Sequence, residues 1–253
     1  MHLEEFAEGH SIWHRMDPRI KILGLFSFAV VAALSNRISV QVFALLTAIV
    51  VLMSAGLNER KVASRMAVVN GFVLFLWLFL PFTTGGEPIA QLGWLVLTRE
   101  GIVLSLSITM KANAIAAATI ALLGTSTVFD LVHAMIHLRI PNLLVQLFFF
   151  CYRYISVIHL EYTRLRTGMK VRCFTPRSNI HTYRSLAYLM GMLFVRSYDR
   201  SERIYQAMVL RGFSGTFWTL DHFHMHRRDW IALVCMSLVI LLMVVGQLAG
   251  GIP

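Results

Sequence analysis

Charge is scarce in this sequence. Of 253 residues only 14% are Asp, Glu, Lys or Arg, while 57% are hydrophobic and the mean hydropathy is +0.66. A soluble domain carries about 25% charged residues, so this composition excludes an ordinary soluble globule and implies a polytopic membrane protein. Cysteine is scarce as well. Cys151, Cys173 and Cys235 form neither a C-x-x-C pair nor a finger spacing, which excludes a disulfide framework and leaves a zinc site without support. The chain lacks a G-x-x-x-x-G-K-[ST] loop, so any ATP hydrolysis must belong to another polypeptide. No cleavable leader is visible either: the first apolar run begins at Ile20, behind Glu4, Glu5 and Glu8, and the first span is expected to stay in the mature protein.

Positive charge is what the chain has in excess, a net +10. In a soluble protein that balance would raise nucleic acid as a partner. Here the basic residues sit between apolar runs, where the positive-inside rule accounts for them, so the expected surroundings are a lipid bilayer and no nucleic acid. Five runs can cross a hydrocarbon layer that needs about 20 helical residues: Ile20 to Ser35, Ile38 to Leu57, Met66 to Phe82, Ile102 to Leu123 and Trp230 to Ala249. Arg60, Lys61 and Arg65 lie between the second and third runs, whereas Arg37 alone marks the first turn and Arg99 alone the loop that begins Thr83-Thr84-Gly85-Gly86. That asymmetry places the N-terminus in the cytoplasm and the C-terminus outside. A sixth run, Leu143 to Ile158, contains Gln146 and Arg153. It is read as a helix partly buried at the cytoplasmic face, because residues 159–229 hold 12 Lys/Arg against 5 Asp/Glu, a net of +7, and short basic segments stay inside.

The expected fold is therefore an all-α integral membrane protein with about five transmembrane helices and a cytoplasmic region of long amphipathic helices inserted before the last span. Its parts are a lead-in over 1–19, a four-span bundle over 20–123, a basic cytoplasmic or interfacial region over 124–229, and a last helix with a short external tail over 230–253. Asp17 can cap the first helix, with Pro18 at its first position. Lys111 lies midway along the fourth run, where a cation is a site candidate by default; it can bond Asn113 or a backbone carbonyl inside the bundle, or meet a moving partner. The alanines around it, Ala112, Ala114, Ala116, Ala117 and Ala118, allow close approach either within the bundle or to another subunit.

The basic region contains one pattern twice. Arg164-Leu165, Met169 and Val171-Arg172-Cys173-Phe174 return 39 residues later as Arg203-Ile204, Met208 and Leu210-Arg211-Gly212-Phe213. From Ile180 to Arg211 a continuous helix would reach roughly 48 Å at 1.5 Å per residue. Gly212 reads as the left-handed residue that ends it, while Thr175-Pro176 are expected to stop the first copy. Each arginine could simply complement a helix dipole, an effect of about 0.3–1 kcal/mol. Because each copy repeats an apolar patch as well as a charge, two similar partner surfaces explain the doubling better.

Taken together, Met16-Asp17-Pro18-Arg19-Ile20-Lys21, Thr127-Val-Phe-Asp-Leu-Val-His-Ala134, Ile140-Pro141, Tyr152-Arg153-Tyr154-Ile155 and the two arginine motifs resemble the transmembrane T component of energy-coupling factor (ECF) transporters, most closely its CbiQ type. The resemblance covers nearly the whole chain. It implies that 124–229 is a coupling region, and that Val171, Arg172, Cys173 and Leu210, Arg211, Gly212 dock in grooves of two cytoplasmic ATP-binding-cassette (ABC) ATPase subunits. The family motif is Ala-Arg-Gly-like; Val171 and Leu210 stand in for alanine here and Cys173 for glycine. The resemblance further implies a non-catalytic subunit in the bacterial inner membrane, with ATP and magnesium on the ATPases and no cofactor of its own. It also implies a separate substrate-binding S component of the CbiM or NikM kind, with or without a small accessory membrane protein, and Co2+ or Ni2+ as the transported ion. Asp17, Lys111 and Arg153 are the further candidates for contact with a partner or within the bundle.

Three other readings stay open beside this one: a vitamin-type importer, a membrane anchor for a cytoplasmic complex, and a lipid-modifying enzyme. The last would need an interfacial cluster of carboxylates, histidines or a nucleophile, and Asp199-Arg-Ser-Glu202 is compensated by arginine. His222, His224 and His226 alternate before the last span in a stretch ending Arg227-Arg228. Imidazole suits nickel or cobalt, but the flanking arginines favour a headgroup-level anchor, and no metal site is assigned.

Overall fold

The computed structural model describes residues 9, 11, 13–92, 95–138, 140–215 and 227–249, which form eight helices and one hairpin. Helix α1 (Pro18–Leu34) starts as the sequence predicts, with Asp17 Oδ1 accepting the Arg19 N–H at 2.9 Å and Pro18 in the first position. After α2 (Ile38–Ser54), Asn58 caps α3 (Glu59–Thr83) by accepting the Arg60 N–H at 3.1 Å. Arg60, Lys61 and Arg65 thus ride on the first two turns of α3 rather than in a connection. The segment expected as a plain loop carries an antiparallel hairpin, β1 (Pro88–Leu92) with β2 (Leu95–Thr98). Thr98 closes it and opens α4 (Arg99–Leu122): its hydroxyl donates to the Thr84 carbonyl at 2.9 Å and accepts the Gly101 N–H at 3.3 Å. Then come α5 (Val128–His137), α6 (Asn142–Val171), α7 (Ile180–Leu210) and α8 (Arg227–Leu248).

Four of these helices are long and apolar enough to cross a membrane: α3, α4, α6 and α8. Helices α1 and α2 have 17 residues each, about 25 Å at 1.5 Å per residue, the short limit for a span. Helix α6 departs most from expectation. It does not stop at Ile158 but runs 30 residues to Val171, so the apolar run and the first basic motif share one rod, and its apolar half qualifies by length and composition as a span.

The chain divides into two compact units, His2–Ala134 with Phe223–Pro253, and Met135–His222. In the first, α1, α2, α4 and α8 close around Phe28, Ala32, Ala44, Ala48, Ala114, Ala117, Ala118 and Met243. Ala114, Ala117, Ala118 and Ala121 recur at helical spacing and are all buried inside the bundle, while Ala112 and Ala116 are half-buried. Small residues let the backbones approach; at Gly24 an added Cβ would lie 1.9 Å from Met236 Cε. Helix α3 is tied to α4 by Asn113 Nδ2 donating to Asn70 Oδ1 at 2.9 Å and Trp77 Nε1 donating to Thr109 Oγ1 at 2.8 Å.

The second unit is built on α6 and α7, which run antiparallel. Three contacts fix that direction: Gln146 Nε2 donates to the Gly215 carbonyl at 2.6 Å, Arg196 pairs with Glu161, and the Phe174 and His181 rings lie 6.4 Å apart. The two helices bury little of themselves, Val145 on α6 and Thr182 and Leu189 on α7.

Candidate functional site

The two arginine motifs end their helices with the same backbone geometry. At the end of α6 the Phe174 N–H bonds the Met169 carbonyl at 3.1 Å and the Cys173 N–H bonds Lys170 at 3.0 Å. At the end of α7 Phe213 bonds Met208 at 3.0 Å and Gly212 bonds Val209 at 2.9 Å. These are two Schellman caps in the same register. Gly212 has φ +80° and Cys173 has φ +59°. The stop on α6 is therefore Cys173 itself in the left-handed region, not Thr175-Pro176, because the cap bonds form before the proline is reached.

The shared cap explains part of the repeat. Met169 and Met208 sit third from their helix ends and Phe174 and Phe213 two past the cap residue, the positions at which this motif favours an apolar pair; all four are half-buried, as are Leu165 and Ile204 one turn earlier. The repeated Met and Phe are thus the inward stripe of a capped helix end. Outward, Val171 is 79% exposed and Leu210 88% exposed, and Arg172, Arg211, Cys173 and Gly212 are exposed beside them. Each end offers solvent one guanidinium with one bare aliphatic side chain next to it. Arg164 and Arg203 are exposed too, Arg164 3.7 Å from Glu161.

Because α6 and α7 are antiparallel and each motif is at a C-terminal end, the two tips lie at opposite ends of the pair. Phe174 meets the start of α7 and Arg211 is its cap residue, a separation of roughly 45 Å along a helix rising 1.5 Å per residue. A groove of about 410 Å³ lies between the two helices in the half of the pair that ends at the Arg211 tip, lined by Phe150 and Tyr154 on α6 and Ile204, Tyr205 and Met208 on α7.

The remaining candidates separate. Lys111 Nζ donates to the Ala33 carbonyl at 2.9 Å in the last turn of α1, a terminal carbonyl with no partner inside its own helix. The lysine makes the bundle contact with a backbone carbonyl, one of the two roles left open for it. Gln41 assists at the same end, Nε2 donating to the Ser35 carbonyl at 3.1 Å and to Ser107 Oγ at 2.7 Å. Arg153 is exposed, 5.9 Å from the Tyr154 ring. Asp17 belongs to a buried polar cluster that sequence reasoning missed. Lys21 is 0% exposed and donates to Ser126 Oγ at 2.6 Å and Thr125 Oγ1 at 3.2 Å, while Asp229 Oδ1 accepts the Asp17 N–H at 3.1 Å. His222, His224 and His226 lie outside the described residues, and among the described residues no cluster of three His, Cys, Asp or Glu is placed to hold a metal.

Residues 9–221 match the family model described as CbiQ, cobalt transport protein. The chain belongs to the CbiQ family. Similar proteins include the energy-coupling factor transporter transmembrane protein EcfT of Streptococcus equi, 24% identical over 84% of this chain and 83% of that one. EcfT of Bacillus subtilis is likewise 24% identical, over 85% of each chain. An uncharacterized protein of Methanocaldococcus jannaschii is 25% identical over 79% of this chain and 76% of its own. As a CbiQ-family chain this is a multi-pass, non-catalytic transmembrane T component of the energy-coupling factor type. Within a CbiQ-family chain, what the two tips can do is bind: a planar guanidinium pairs with carboxylates or carbonyls, and an exposed aliphatic neighbour adds apolar area to the contact.

Proposed function

We propose that this chain couples ATP hydrolysis on two cytoplasmic ABC-type ATPase subunits to import through a separate substrate-binding membrane component, with Co2+ or Ni2+ as the transported ion. The observation that carries the reading is the pair of identically capped helix ends, each with an exposed arginine and an exposed aliphatic residue, at opposite ends of one antiparallel pair. Two similar sockets that approach one another when ATP binds would draw on both tips at once. The caps make each tip a rigid end rather than a fraying one, so a push at the tip travels along its helix. Val171, Arg172 and Cys173 enter one socket and Leu210, Arg211 and Gly212 the other. ATP and magnesium reside on the ATPases, and this chain holds no cofactor.

The family description favours cobalt, and nickel shares its ligand chemistry. The EcfT names of several relatives support a second reading, a T component of the same plan that serves a vitamin-type importer. In either case, with α6 lying at the cytoplasmic face and five helices crossing, the N-terminus lies inside and the C-terminus outside the cytoplasmic membrane, as the positive-inside rule directs. The test is co-purification of this chain with its ATPases, comparing wild type with Arg172→Ala/Arg211→Ala. An arginine that acts as an interface hot spot costs about 2 kcal/mol or more when truncated, so the double variant is expected to insert normally and lose its ATPases. Full assembly and full uptake by the double variant would falsify the docking roles. Uptake of radioactive cobalt and nickel by the assembled complex separates the ion reading from the vitamin reading.

A further inference from the structure

The chain passes between its two units twice, outward after Ala134 and back at Phe223. On the bundle side, residues flanking both passages converge on one place, the N-terminal end of α1. Before the outward passage, Thr125 and Ser126 form the turn between α4 and α5. Lys21 Nζ donates there to Ser126 Oγ at 2.6 Å, to Thr125 Oγ1 at 3.2 Å and to the Thr125 carbonyl at 3.4 Å. After the return passage, Asp229 in the first turn of α8 accepts the Asp17 backbone N–H at 3.1 Å. Asp17, Lys21, Thr125, Ser126 and Asp229 are all buried.

The chemistry of this node is specific. An ammonium has three donors, and it meets three acceptor atoms here. Asp130, Asp17 and Asp229 supply the negative charge around it, with Asp130 itself accepting from Thr127 Oγ1 at 2.6 Å. A buried apolar side chain of similar volume would hold the helices at least as firmly, since burying charge is costly. What a fully satisfied lysine provides instead is a single register, because any slip of α1 against the turn strands a charge.

The geometry points to Lys21 and Asp229 as positioning residues that pin both passages to α1, so that displacement of the α6–α7 pair reaches the bundle through this node instead of being absorbed in the connections. This inference rests on the coupling reading above. It needs no contact of Lys21 with substrate or ATPase.

The experiment uses the complete complex, with its ATPases and substrate-binding component, in proteoliposomes, and reads cobalt or nickel moved per ATP hydrolysed. Lys21→Met keeps the length of the side chain and removes its charge and donors. The expected result is normal co-purification of the ATPases, continued hydrolysis, and a fall on the order of tenfold in ions moved per ATP, the scale of a typical coupling free energy. Lys21→Arg, which keeps charge and donors, is expected to restore part of the ratio. An unchanged ratio in Lys21→Met overturns the inference, and so does a parallel loss of uptake and hydrolysis, which marks a merely structural residue. Should Lys21→Met fail to insert, Ser126→Ala and Asp229→Asn decide: a reduced ratio in either supports the pin, and an unchanged ratio in both removes it. A wild-type complex that holds no ATPases, or moves neither ion, sinks the coupling reading itself, whatever the Lys21 variants do.

Discussion

Helix α4 and the α6–α7 pair spend their apolar residues in opposite ways. In the bundle, α4 buries Ala114, Ala117, Ala118 and Ala121 against its neighbours, so its small side chains face inward and close the core. In the pair, α6 buries only Val145 and α7 only Thr182 and Leu189, while Phe194, Val195, Tyr198 and Leu210 are exposed. A helix that leaves so much apolar surface uncovered is built to be covered by something else, whether lipid or protein. The order of α4 is carried by contacts within the bundle; that of the pair, like the outer face of α3 with only Val73 and Pro81 buried, is completed by its surroundings.

The sharpest way to break this comparison is to enlarge one residue in each unit. Ala114→Leu overfills the bundle core and is expected to cost about 1–3 kcal/mol, read as a lowered thermal midpoint of the detergent-solubilised chain. Val195→Leu on α7 is expected to stay within about 0.5 kcal/mol, as exposed substitutions do. Equal destabilisation by the two would mean that the pair has a core of its own.

A smaller effect separates the two tips. A side chain in the left-handed region costs roughly 1–2 kcal/mol, so Gly212→Val is expected to loosen the end of α7, seen as faster amide exchange at Phe213. The reverse change at the other tip, Cys173→Gly, relieves that strain but adds about 0.5–1 kcal/mol of backbone entropy to the unfolded chain. A net gain of about 0.5–1 kcal/mol is expected, read as slower exchange at Phe174. No gain would mean that Cys173 is held by something other than the cap. The smallest effect is reserved for Glu161→Gln, which removes the charge facing Arg196 at the crossing of α6 and α7. Exposed ion pairs contribute little, and the midpoint is expected to hold within error while salt dependence weakens.

Much of this was legible in the sequence, for identifiable reasons. Asp17-Pro18 and Gly212 are local signals, and both helix boundaries fall where they predict. The length of α7 was legible because no proline or glycine pair interrupts Ile180 to Arg211. Cys173 was misjudged since its left-handed conformation is imposed by cap bonds that residue type does not advertise. The hairpin after α3 is a local pairing, but no Asn-Gly or Asp-Gly signal separates its two short apolar strands. The node at Lys21 joins residues 104 and 105 positions apart, and no periodicity in one chain reveals which turn a lysine will meet. For α6, composition supplied an apolar half and a charged half, and only the continuous backbone shows them to be one rod.

Helix α1 is fastened twice along α4, by Lys21 to Thr125 and Ser126 in the turn that follows α4 and by Lys111 of α4 to Ala33 at the other end. The two lysines and the two stretches between them, 21–33 in α1 and 111–125 through the end of α4 into its turn, make a closed four-sided frame with a fastener at each end. Such a frame restricts which length changes the gene can tolerate. One residue inserted between Lys21 and Ala33 would swing a fastener about 100° around its helix and open one corner, and the same holds between Lys111 and Thr125. The spacing within each segment is therefore tied to the spacing within the other, and a viable insertion in one would need its counterpart in the second.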